Sequence, residues 1–92
     1  MDIDYGTVTA SGQISSSSKG IKSIEFHARS GNEKSVIVGR SNASLTNGRE
    51  IPPGETHAPN FDKGSIPFST WYAVFEQPGD MLDWTIIIGS TR

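Results

Sequence analysis

Paired carboxylates such as Asp80 and Asp83 could serve glycoside hydrolysis, one protonating the leaving oxygen while the other attacks or activates water. They lie beside Pro78-Gly79, however, where acidic residues commonly serve turn geometry or solubility. His27 and His57 stand 30 positions apart and neither has a ligand-type neighbour at hairpin or helical spacing. A histidine-based metal centre needs three or four convergent ligands. Asp2 and Asp4 would share a strand face and could offer oxygens to Ca²⁺; ordinary surface acids are the simpler account. Serines abound, but none sits in Gly-x-Ser-x-Gly, there is no cysteine nucleophile, and no glycine-rich phosphate loop occurs. Phe68, Trp71 and Tyr72, with Trp84, could stack on sugar rings, although aromatics alternating along a strand more often belong to a core or an interface. Asn42-Ala43-Ser44 matches the glycosylation pattern, for which an Asn beside a turn is the plainer explanation. No convergent catalytic set emerges. The expectation is a protein that is not an enzyme and uses neither cofactor nor metal.

The elements that would position these residues read as strands. Ile3, Tyr5, Thr7 and Thr9 alternate with Asp4, Gly6, Val8 and Ala10, which predicts a half-exposed first strand. The Ser15 to Gly20 run reads as a loop. Ile24, Phe26 and Ala28 alternate with Glu25, His27 and Arg29, a strand with one face inward and one outward. Val36, Ile37 and Val38 in succession predict a central strand, and Gly39 after it allows a bend or a close approach. Ala43 and Leu45 suggest a short strand closed by Asn47-Gly48, a dipeptide that favours a type I′ turn. Pro52 and Pro53 lack N–H donors, and Gly54 permits a sharp corner. A short edge strand is expected from Glu55 to Phe61, and one long strand from Ile66 to Glu76. On that long strand Trp71, Ala73 and Phe75 would share one face, and Thr70, Tyr72 and Val74 the other. A turn at Gln77-Pro78-Gly79-Asp80 precedes a last strand whose core face is Leu82, Trp84, Ile86 and Ile88, opposite Asp83, Thr85 and Ile87. About seven strands at near-regular spacing predict an all-β fold, a single antiparallel β-sandwich domain over residues 1–92, with jelly-roll connections as one option.

Composition narrows the function classes. Hydrophobic residues make up 34% of 92, which suits a thin sandwich or a chain that buries more surface by associating. Cysteine is absent, as fits a reducing compartment. A formal charge of -2 with no basic run argues against a nucleic-acid partner. No apolar stretch approaches the ~20 residues of a membrane helix. The acidic Met1-Asp2-Ile3-Asp4 start lacks the features of a secretory leader, so a soluble chain used without secretion is expected.

The ordered combination of Val38-Gly39, Leu45-Thr46-Asn47-Gly48, Ile51-Pro52-Pro53-Gly54-Glu55 and Trp71-Tyr72-Ala73-Val74 resembles small bacteriophage virion proteins of the head-decoration, or cement, type. The resemblance runs from Ile37 to Ile88. Where that pattern continues into an alternating apolar strand, this chain has the polar, proline-broken Thr56-His57-Ala58-Pro59-Asn60, available as a contact loop. The resemblance implies a β-sandwich that binds the major capsid protein and itself, as a homotrimer on the capsid surface, and that is made in the host cytoplasm. A tail-fibre, baseplate or surface carbohydrate-binding module, reading sugars through Trp71, Tyr72 or Trp84, is the alternative. Ile3, Tyr5, Arg49, Glu50, His57 and Tyr72 are the expected interface residues, with residues 1–5 as an arm onto the shell or a neighbouring subunit.

Overall fold

The structure is a computed structural model describing residues 2–17, 19–59 and 66–88. Its strands are β1 (Asp2–Val8), β2 (Gly12–Gln13), β3 (Gly20–Ala28), β4 (Val36–Gly39), β5 (Arg49–Ile51), β6 (Thr56–His57), β7 (Ile66–Pro67), β8 (Tyr72–Phe75) and β9 (Leu82–Ile88). A five-stranded antiparallel sheet has the order β1-β9-β3-β6, with β7 also on β3; a four-stranded one has the order β2-β8-β4-β5. The two pack face to face as the expected all-β sandwich. Their common core takes Ile24, Phe26, Leu82 and Ile86 from the first sheet and Val36, Val38, Ile51 and Ala73 from the second.

Period-two patterning explains most of this. On β3 the alternation of Ile24, Phe26 and Ala28 with Glu25 and His27 is the alternation of buried with exposed or half-buried residues. A bulge between Ile21 and Ser23 resets the period, so Ile21 is also buried although it lies three residues before Ile24. β9 is paired on both edges, by β1 and β3, and carries apolar residues on both faces: Leu82 and Ile86 face the core, while half-buried Ile87 faces outward and lines a groove with Ala58 and Pro59. Likewise β4 is central between β8 and β5, as its unbroken Val36-Ile37-Val38 predicts. Ile37 points away from the sandwich core yet is buried, because the segment after β4 folds back over it: a Cβ on Gly48 would stand 2.5 Å from Ile37 Cγ2.

Several local expectations change. The stretch from Ile66 to Glu76 is two strands in different sheets, not one. Pro67 ends the pairing with β3, and a 3-10 turn (Phe68–Thr70) carries the chain across to the second sheet. The tight turn of the 44–47 segment centres on Leu45 and Thr46, with Ser44 and Asn47 exchanging both backbone hydrogen bonds. Asn47 keeps a negative φ, and Gly48 is needed for its close approach to β4 and its φ of 140°. No strand forms at Ala43 and Leu45; an isolated bridge pairs Ser44 with Asn47. The edge strand at β6 is two residues long, and Asn60 and Phe61 lie outside the described residues. Residues 2–5 belong to β1 and are laddered onto β9 rather than forming a free arm.

Both proline-glycine corners form as their residues dictate. Glu55 N–H bonds Pro52 O, with Gly54 at φ 83°, and Asp80 N–H bonds Gln77 O, with Gly79 at φ 94°. The first corner is pinned to β3 by Gly54 N–H on Ala28 O at 2.8 Å and Ala28 N–H on Glu55 O at 3.0 Å, which places β5 and β6 on opposite sheets.

Candidate functional site

The outer face of the five-stranded sheet gathers the side chains that pair across β1, β9, β3 and β6. The register sets Thr7 beside Asp83 and Asp83 beside His27, with Thr56 beyond. Arg29 reaches over this row. Its Nε donates to Asp83 Oδ2 at 2.9 Å and its Nη2 to Oδ1 at 3.0 Å, a bidentate pair. Thr7 Oγ1 donates to Asp83 Oδ1 at 2.7 Å, and His27 Nδ1 shares a 2.9 Å hydrogen bond with Thr56 Oγ1. The Arg29 guanidinium holds the Asp83 carboxyl below the usual carboxylate range; burial opposes the shift and Thr7 adds to it. Asp83 in turn raises Arg29.

A cleft of about 420 Å³ opens beside this network, walled by His27, Arg29, Asn32, Met81 and Asp83. Its polar groups are largely committed to one another. Asn32 uses both ends of its amide on Met81, donating to the carbonyl and accepting from the N–H, each at 2.8 Å. Asp80, 4% exposed, accepts the backbone N–H groups of Glu33 at 2.9 Å and Lys34 at 3.0 Å. The two candidate glycosidase carboxylates therefore stand in different roles: Asp80 staples the 33–34 backbone to the Gln77–Asp80 turn, and Asp83 pairs with Arg29 on the sheet face. Among the described residues no three His, Asp or Glu side chains converge to hold a metal ion.

The aromatic candidates are mostly interior. Phe68 and Trp71 are buried; Trp71 meets Phe26 edge-on at 5.4 Å, and Phe68 meets Trp84 at 4.8 Å. Trp84 lies across Gly6, whose Cβ would fall 2.5 Å from the ring. No sugar platform forms from Phe68 and Trp71, because both rings supply the core that a short, apolar-poor chain must assemble.

The six expected interface residues divide among three places. Ile3 and Tyr5 stand together on the outer face of β1, 61% and 76% exposed. Glu50 and Tyr72 lie on the outer face of the four-stranded sheet, where Tyr72 pairs with Gly39 and Glu50 with Ile37. Arg49 and His57 lie where the two sheets open, sharing the faces of Val38 and Phe26. Burial lowers the His57 pKa, and the nearby Arg49 charge lowers it further. The fold thus favours neutral His57. That contribution is complete above the unfolded pKa of ~6.5 and is lost as pH falls through it toward the lower folded value. Thermal melts from pH 7.5 down to pH 5 should show wild-type stability declining in this window. The decline should flatten in His57→Gln, and an unchanged slope in the variant would refute the assignment.

Ile3 also lines an apolar groove of about 330 Å³ with Ile87, Ala58 and Pro59. The sequence places Arg29 and Ile87 on outward strand faces and Ala58 and Pro59 in a contact loop; what it does not show is that Ile3, Ile87, Ala58 and Pro59 meet in one groove. The Ile86-Ile87-Ile88 run is the signal behind the outward Ile87, since three successive apolar residues must place at least one on each face. No family model, curated protein or solved structure matches this chain.

Proposed function

We propose that the chain is a non-enzymatic structural protein of a bacteriophage particle that decorates the capsid, binding the major capsid protein as an oligomer through the outer face of the five-stranded sheet. One observation carries the interaction surface. Exposed Ile3 and Tyr5 continue through Ile87 into the groove at Ala58 and Pro59, an apolar strip across a sheet face whose other residues are polar. The capsid assignment is supported by the resemblance of the 37–88 segment to small virion proteins. A decorating protein needs a stable scaffold and a repeated shallow contact rather than a catalytic centre, and multivalency supplies strength that one contact lacks.

Co-sedimentation of the purified chain with capsid shells of the phage that carries its gene tests this reading. Ala58→Lys puts a charge into the groove at an exposed position without touching the core. The wild type should pellet with shells, and the variant should bind about tenfold more weakly, a loss of ~1.4 kcal/mol per contact. Failure of the wild type to pellet, or equal binding by the variant, would contradict it.

A further inference from the structure

The strand β1 is an edge of unusual kind in this molecule. Among the described residues it pairs with β9 alone, over all seven of its residues and without a register shift. Its far side therefore presents a row of backbone N–H and C=O groups with no partner strand. The other strands with one paired side, β2, β5, β6 and β7, are two or three residues long, the usual defence against edge pairing. β1 lacks this defence: it is long, regular and free of proline and lysine, with Ile3 and Tyr5 exposed on it, and its one local guard is Asp4, whose Oδ1 accepts the Tyr5 N–H at 2.9 Å.

We propose that β1 pairs antiparallel with β1 of a second copy of this chain, about a two-fold axis at Tyr5. The occupant follows from the strand's self-complementarity. Only pairing centred on Tyr5 matches all seven residues, residue 2 with residue 8 through to 8 with 2. It sets Tyr5 against Tyr5, Ile3 against Thr7, and Asp4 against Gly6. Sliding two residues one way sets Asp4 against Asp4, like charges directly opposite, which is destabilising. Sliding two the other way sets Gly6 against Gly6 and takes Ile3 past the strand's end. A slip of one residue opposes the outer face of one copy to the inner face of the other. The chosen register joins two five-stranded sheets into one continuous sheet and makes the apolar strip continuous across the axis. This deepens the self-association in the proposed function by naming its strand, and it closes a dimer in place of the trimer expected from the sequence.

The chain has no cysteine, so single substitutions give clean cross-linking probes. Residues opposite one another in an antiparallel pair have Cα atoms about 4.5–5.5 Å apart, within disulfide range. Under mild oxidation at micromolar concentration, Tyr5→Cys should form a disulfide dimer at least tenfold faster than Leu45→Cys, an exposed position on a remote turn. Ile3→Cys should not cross-link with itself, since four residues of offset separate the two sites by roughly 13 Å. Mixed with Thr7→Cys, it should give the heterodimer. Light scattering of the wild type should give about twice the 9.9 kDa chain mass. A monomer, a trimer, or equal rates for Tyr5→Cys and Leu45→Cys would overturn the pairing. A monomer that still pellets with capsid shells would overturn the dimer alone. A cross-linked dimer that ignores shells would overturn the capsid assignment alone.

Discussion

Phe26→Ala is expected to lower the thermal midpoint by more than ~12 °C, and at physiological temperature to leave much of the protein unfolded. Phe26 is 0% exposed and sits on β3, in the middle of the first sheet, with its ring edge-on to Trp71 from the opposite side of the sandwich. Removing it deletes a buried aromatic and leaves a cavity between layers, a loss of about 3–5 kcal/mol. A domain of this size has a total stability of only about 5–10 kcal/mol, and each kcal/mol moves the midpoint by roughly 4–8 °C. The rigid ladders on both sides of β3 limit collapse into the gap. Circular dichroism melts of the wild type and variant measure the effect. A shift of less than about 4 °C, the size expected for ~1 kcal/mol, would mean that the two sheets do not pack through this contact.

The second large effect is expected at Asp80, and it separates a structural from a catalytic reading of the acid pair. Asp80→Ala removes the acceptor of two backbone N–H groups, those of Glu33 and Lys34, at a site 4% exposed. Glu33 and Lys34 are themselves exposed and water can reach part of the gap, so the variant should lose roughly 1–3 kcal/mol in all. Asp80→Asn keeps one acceptor oxygen and should fall between. Asp83→Ala, only three positions along, should cost less than ~1 kcal/mol, because its pairing with Arg29 is partly open to solvent and screened. Urea unfolding of the three variants checks the ordering. Equal losses at Asp80 and Asp83 would refute the division of roles.

The contrast between these two acids shows where the sequence is legible and where it is not. Alternation on β3 and β9, the unbroken apolar run of β4, and the turns at Gly54 and Gly79 are local properties, and they were readable because period and turn chemistry act over a few residues. What escaped depends on contacts between distant segments. Asp80 is buried only because the 33–34 backbone comes back to it across 46 or 47 positions. Arg29 meets Asp83 across 54. The apolar pattern from Ile66 to Glu76 holds across the break, but it carries no information about which sheet each half joins. The turn expected at Asn47-Gly48 moved because Gly48 is committed to a close approach to β4, leaving Leu45 and Thr46 to turn the chain.

The face of β1 is the most consequential case. Alternation told that Ile3, Tyr5 and Thr7 lie on one side, but hydrophobicity alone would have turned that side inward. Trp84 fills the space under β1, so the inward position opposite it must be a glycine, and Gly6 fixes the parity. Ile3 and Tyr5 are thereby forced to the surface, and the strip on which the proposed function rests is the by-product of one close-packed indole.

The composition of purified phage particles tests the central claim most directly. Quantitative mass spectrometry of density-purified virions should find this chain in fixed stoichiometry with the major capsid protein, and should lose it when shells are stripped by mild denaturant before they disassemble. Its absence from purified particles, with the protein remaining free in the lysate, would contradict the account.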